Sequence, residues 1–187
     1  MILSKTDLKR FLDSDRKALN ISRNKPRLFG DEIWRYQIAL RKFEYYTNVK
    51  CFWGWILRTY WHLQHKIWGV RLGFTIPVNV VDEGLCLYHY GCVVISKYAK
   101  VGKWCKIHAG VNIGQNWTAD ESPVIGDNCF LSPGAKLFGQ IRIGNNVVVG
   151  ANAVVNRSFE SDNITIAGVP AKIVKHSGSP SFEYKDS

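Results

Sequence analysis

The segment Ile95-Ser96-Lys97-Tyr98-Ala99-Lys100-Val101-Gly102-Lys103-Trp104-Cys105-Lys106-Ile107-His108-Ala109-Gly110-Val111-Asn112-Ile113-Gly114 repeats itself every six residues. Ile95, Val101, Ile107 and Ile113 share one position of the hexad, and Ala99, Cys105 and Val111 stand four residues after the first three. The same count runs on through Ile125, Leu131, Leu137, Ile143, Val149 and Val155, with Cys129, Ala135, Ile141, Val147 and Ala153 at the companion position. Neither a helical period of 3.6 nor a two-residue alternation produces a strict six; a chain wound into flat coils, with one inward apolar residue per short strand, does. Three hexads make a triangular coil of about 18 residues, so residues 73–170 hold roughly five to six coils. The step from Ile113 to Ile125 is twelve, which sets Gln115 to Pro123 in place of one hexad, as a loop. Gly102, Gly114, Gly126, Gly144 and Gly150 directly follow inward positions and mark tight backbone geometry. Such a rod has flat faces and no deep pocket, so sites are expected where two rods meet, and an oligomer with them.

Toward the N-terminus the composition changes. The chain has 25 Lys and Arg against 15 Asp and Glu, a net +10. Dividing it at Leu72 puts 15 basic and 6 acidic groups (+9) in residues 1–72 and leaves 10 against 9 in the rest. Five of the seven Trp lie in the same N-terminal segment. Ser4-x-x-Asp7 ahead of Leu8, Phe11 and Leu12 resembles a capping box and opens a helix to about Leu19. Asn24-Lys25-Pro26 breaks the chain, and Asp31-Glu32 opens a second helix with Ile33, Tyr36, Leu40 and Phe43 at helical spacing. A third, amphipathic helix runs from Trp53 to Trp68. It admits two readings: an anchor on an anionic membrane surface, or a helix whose Trp side chains pack against a neighbour. His62 and His65 on it are read as packing or surface residues. The expected organisation is an N-terminal helical region (1–72), a β-helix domain (73–170) and a C-terminal tail (171–187), mobile from Ser177 onward.

Several classes fall away. Lys5, Asp7, Lys9 and Arg10 follow Met1-Ile2-Leu3 at once, so no secretory leader is read. The most apolar run, Cys51 to Leu57, falls far short of the ~20 residues of a spanning helix. The expected location is the cytoplasm, at the inner face of the membrane if the basic arm touches lipid. The five Cys are odd in number and form no Cys-x-x-Cys pair, which argues against a disulfide framework or zinc knuckle. No nucleic-acid motif accompanies the charge.

With these residues in place, the chain resembles the hexapeptide-repeat acyltransferases, in particular the serine acetyltransferase-like branch that includes capsular and exopolysaccharide O-acetyltransferases. The resemblance rests on Ile76-Pro77, Gly84-Leu85-x-x-x-His89-x-Gly91, Ala99-Lys100-Val101-Gly102, Val111-Asn112-Ile113-Gly114 and the closing Ala167-Gly168-Val169-Pro170-Ala171-Lys172. Leu40-Arg41-Lys42-x-Glu44-Tyr45-Tyr46 is similar to the helical lead-in of the polysaccharide-associated members. The resemblance implies a left-handed parallel β-helix, a homotrimer or dimer of trimers with sites between subunits, and acetyl-CoA as co-substrate without a metal. It implies that His89 is the general base that takes the acceptor's hydroxyl proton as oxygen attacks the thioester, with no acyl-enzyme. It also implies CoA contacts at Gly114, Ser132, Pro133, Gly150 and Ala151, with Lys172 and Lys175 for the phosphates. His108, Tyr88, Asp82 and Trp117 are candidates for an acceptor or secondary site. A zinc hydratase, the other chemistry known on such rods, would need a close His pair that His89 and His108 do not supply.

Two departures bear on the acceptor. Serine acetyltransferases carry Asp directly before the catalytic His, where this chain has Tyr88, and Arg-His-Pro at the loop end, where it reads Glu121-Ser122-Pro123. The position of the carboxylate that orients the His falls at Phe74 or Thr75, leaving Asp82, Glu83 or a backbone carbonyl for that task. With Tyr88 and Tyr90 next to the base, Trp117 in the loop and no paired charges for a zwitterion, the expected reaction is O-acetylation of a saccharide hydroxyl, on a polysaccharide or a lipid-linked repeat unit. Serine O-acetylation, N-acylation of an amino sugar and a non-catalytic scaffold are the alternatives.

Overall fold

The computed structural model describes residues 1–27, 29–50, 52, 54–118 and 121–180. Three helices precede the repeats: α1 (Lys5–Ala18), α2 (Glu32–Asn48) and α3 (Gly54–Leu72). The capping box forms with Asp in the acidic role, for the Asp7 N–H donates to Ser4 Oγ at 3.0 Å while Asp7 Oδ2 accepts from Ser4 Oγ and the Leu3 N–H. Stacked Phe43–His62 and Tyr36–His65 rings join α2 to α3. Trp53, expected to open the third helix, lies outside the described residues.

Fourteen strands follow: β1 (Phe74–Thr75), β2 (Cys86–Leu87), β3 (Val93–Ile95), β4 (Lys100–Val101), β5 (Lys106–Ile107), β6 (Asn112–Gly114), β7 (Val124–Ile125), β8 (Phe130–Leu131), β9 (Lys136–Phe138), β10 (Arg142–Ile143), β11 (Val148–Val149), β12 (Val154–Val155), β13 (Thr165–Gly168) and β14 (Ala171–Lys175). They stack into three faces: β1-β3-β6-β9-β12 on the first, β4-β7-β10 on the second and β2-β5-β8-β11-β13-β14 on the third. Every pairing is parallel except β13 with β14. The chain visits one face after another and returns one coil further on, which is a left-handed parallel β-helix with an N-terminal helical region.

All ten hexad positions from Ile95 to Val155 and their eight companions are buried in one cluster, which also takes in Tyr36 and Leu40 of α2 and Leu72 of α3. Each inward aliphatic contributes about 1.5–3 kcal/mol by leaving water. The glycines after the inward residues have a different reason from the expected one. Their φ is ordinary; a Cβ on Gly126 would lie 2.6 Å from the Gly144 carbonyl oxygen of the next coil, and Gly102 and Gly144 are similarly close to the backbone beneath them, so these three positions are small because backbone rests on backbone. The left-handed corners are taken instead by residues such as Asn128, Asn146 and Asn163, whose amides form a ladder along one edge at 2.8 and 3.0 Å.

The end of the rod differs from the expected tail. Ala171–Lys175 is β14, and the Ser179 N–H donates to the Asn146 carbonyl while Asn128 Nδ2 donates to that of Pro180. Those bonds hold residues 177–180 against the asparagine edge; residues 181–187 lie outside the described residues. Cys86, Cys92, Cys105 and Cys129 are free thiols. No described helix is long and apolar enough to cross a membrane.

Candidate active site

The register locates His89 without reference to its chemistry. Cys86 and Leu87 pair with Lys106 and Ile107, twenty residues on, whereas Val94 and Ile95 pair with Asn112 and Ile113, eighteen residues on. Two extra residues therefore lie between β2 and β3. Tyr88 stands level with His108, and Gly91 sits over Ala109, with a built Cβ only 3.0 Å from the alanine's. The surplus pair is His89 and Tyr90, which bulges from the edge where the third face turns into the first. His89 is exposed there. Its ring centroid lies 6.0 Å from that of His108 and 6.4 Å from that of Tyr88.

Below this bulge the same edge is lined by small residues. One column runs Tyr88, His108, Ser132, Gly150 and Ala167, set by the N–H bonds from each to the coil beneath. The adjoining column runs Gly91, Ala109, Pro133, Ala151 and Gly168. Lys172 pairs with Ala167 at the foot of the first column. Four coil steps of about 4.8 Å separate the two ends, roughly 19 Å of shallow track with an imidazole at one end and an ammonium at the other.

Other expected residues are not brought together with His89 in one chain. Gly114 ends β6 on the edge between the first and second faces, and the loop that follows carries Trp117, 95% exposed, whose N–H donates to Glu121 Oε2. Lys175 pairs with Thr165 at the far end of β14 from Lys172. Asp82 and Glu83 lie on the third edge, between the second and third faces. Asp82 Oδ1 accepts from the Glu83 N–H, and the Glu83 carboxylate accepts from Arg10 at 2.6 Å and pairs with Lys103 at 3.3 Å. The expected use of either to orient His89 is thereby corrected. Among the described residues, no carboxylate is hydrogen-bonded to His89, and no cluster of three metal-ligating side chains is present.

His108 is the better-enclosed imidazole. Its ring stacks on Tyr88 at 4.5 Å and 19°, with Phe130 4.9 Å away, and its Nε2 is buried with no hydrogen-bond partner among the described residues. Burial and the neighbouring His89 both lower its pKa, so it stays neutral.

One constellation was not legible as part of the site. Arg41, fully buried on α2, forms a bidentate pair with Asp15 of α1 at 2.8 and 3.2 Å and donates to the carbonyls of Val81 and Asp82. Asp15 in turn accepts from the N–H groups of Gly84 and Leu85, and Gln37 donates to the Leu85 carbonyl at 2.6 Å. The helices thus clamp residues 81–85 by their backbone, immediately before β2 and His89. A buried Arg on a helix with a partner 26 residues away leaves no signal in a hexad or helical period.

Comparison with known proteins agrees with this architecture. Residues 122–157 match the profile of the family described as bacterial transferase hexapeptide (six repeats). The serine acetyltransferase of Synechococcus elongatus is 34% identical over 119 residues, 63% of this chain and 47% of that protein. That of Staphylococcus aureus strain Mu50 is 37% identical over 104 residues, 54% and 48% of the two chains. The chain spans about half the length of these curated relatives. Solved serine acetyltransferases share the fold: that from Brucella abortus gives a TM-score of 0.70 at 22% identity, over 94% of this chain and 72% of the other, and the soybean apoenzyme 0.70 at 23%, over 91% and 70%.

These relatives overturn the expected saccharide acceptor and the closeness to polysaccharide O-acetyltransferases, and they favour the serine alternative. The geometry supplies a reason. Within one chain, Tyr88 spends its ring face on His108, the Tyr90 hydroxyl donates to Glu32 and Trp117 lies on another edge, so the chain by itself forms no aromatic platform for a sugar ring. By its repeats, its coil register and these matches, the chain is similar to the hexapeptide-repeat acyltransferases and shares their fold.

Proposed function

We propose that the protein is an acetyl-CoA-dependent O-acetyltransferase whose acceptor is the hydroxyl of serine, with His89 as general base. The observation that carries this reading is the edge itself: an imidazole bulging at the top of a track of small residues that ends on Lys172. The pantetheine arm lies along Ser132, Pro133, Gly150 and Ala151, whose side chains are short or absent, and Lys172 meets a phosphate as a point charge. His89 takes the hydroxyl proton, the oxygen attacks the thioester carbonyl, and collapse of the tetrahedral intermediate breaks the C–S bond. The proton then passes from His89 to the departing thiolate. His108, held neutral, packs between Tyr88 and Phe130 beside the base and supports the edge from which His89 projects. Gly114 and Trp117 reach such a site from the facing edge of a neighbouring rod, which is the reason to expect a trimer.

Tyr88 and Glu121 replace groups that meet the serine zwitterion in the resembling enzymes, so the acceptor needs a direct test. Release of CoA thiol from acetyl-CoA is expected to depend on L-serine. Turnover with other hydroxyl compounds but not with serine overturns the acceptor and leaves His89 standing. Undiminished turnover in His89→Ala overturns the base.

A further inference from the structure

Helix α3 carries an apolar face that none of the described residues covers. Its only buried residues are Gly54, Gly69 and Leu72, while Ile56, Tyr60, Leu63, Ile67 and Val70 are 41–77% exposed. Their steps of four, three, four and three put them on one straight stripe, about 21 Å long at 1.5 Å per residue, opposite the side that meets α2. Lys66 and Arg71 border the stripe, Trp55 stands beside it, and α3 contains no Asp or Glu. Among the described residues no ion pair involves α3; Arg71 lies over the Trp68 ring.

Such spacing also suits a coiled-coil seam, but a seam between copies places charges of opposite sign along its borders. Here both borders are cationic or neutral, so two copies would set Lys66 and Arg71 against their own kind. An apolar stripe with Trp and Tyr at its margins, cationic borders and no acid fits the boundary of an anionic bilayer instead. We propose that α3 is an interfacial helix that seats the protein on an anionic lipid surface. The seat bears on the site's position: the Leu72 carbonyl at the end of α3 accepts from the Gly91 N–H at 3.0 Å, two residues beyond His89. The His89 edge is therefore fixed relative to the bilayer and lies close to it. The inference does not depend on the acceptor or on the transfer reaction.

The test is co-sedimentation of the full chain with phosphatidylcholine vesicles, with and without phosphatidylglycerol, at low and high salt. Binding is expected only to the anionic vesicles and to weaken with salt. Lys66→Gln with Arg71→Gln should weaken it about 30-fold, at about 1 kcal/mol per cation, and Leu63→Glu with Ile67→Glu should abolish it. All four positions are exposed, and thermal melts check that each variant folds. Equal binding to neutral vesicles, no binding at low salt, or binding that survives Leu63→Glu with Ile67→Glu overturns the proposal. A wild type that ignores vesicles and whose light-scattering mass falls in that double variant would show that a second copy covers the stripe.

Discussion

At the scale of single residues, the proposed site sets two unlike imidazoles side by side. His89 stands out from the rod, where an acceptor can approach, while His108 is stacked on Tyr88 beside it and kept neutral by burial and by His89. The two predict different kinetics. His89→Ala should lower kcat by about 10²- to 10⁴-fold, the usual contribution of a positioned base. His108→Phe keeps a ring between Tyr88 and Phe130, so kcat and the KM for serine should each change less than about tenfold. The sequence shows His89 as the place where the hexad phase breaks, and the register explains why: it belongs to a two-residue insertion. It does not show that His108 lies under Tyr88, because the coils along this edge span 20, 24, 18 and 17 residues, so counting by 18 misplaces the column.

At the scale of elements, the helices hold the first coil in place. The Asp15–Arg41 pair binds four backbone groups of residues 81–85, so removing one partner leaves a buried charge uncompensated. Arg41→Ala should cost about 3–5 kcal/mol, read as a lower urea midpoint, and should be far worse than Arg58→Ala on the exposed part of α3. His65 gives the helices a pH dependence. Burial against α2 holds its pKa down to about 4, against 6.5 for an ordinary His. The unfolded chain therefore takes up a proton before the folded one does, and stability falls as the pH drops from 6.5 to 4. His108 acts in the same direction. In His65→Phe the urea midpoint should vary less across that window. Three helices were readable from periodicity, and the starts of the first two from Ser4 and Asp31. The clamp was not, because a fully buried Arg41 has the same sequence signature as a surface Arg, and β14 was hidden by the polar look of Lys172 and Lys175.

At the scale of the whole molecule, a strict period in one dimension becomes a rod with three edges, and each edge does something different. One carries the asparagine ladder and the charged pairs of Glu83, one the Gln115–Pro123 insertion, and one the two histidines over their track. The coils depend on close backbone stacking. Gly126→Ala should lower the melting temperature by an amount equivalent to about 1–3 kcal/mol, because the Gly144 carbonyl oxygen leaves no room for a Cβ. Under the proposed reaction, with His89 and Trp117 on different edges of one chain, the complete site forms between subunits, and a trimer is the expected mass in solution. The central claim is that the His89 edge transfers an acetyl group to serine. It is tested most directly by following thiol release from acetyl-CoA with and without L-serine, in the wild type and in His89→Ala. The account predicts serine-dependent release that falls at least about a hundredfold in the variant; release that ignores serine, or a variant as fast as the wild type, would contradict it.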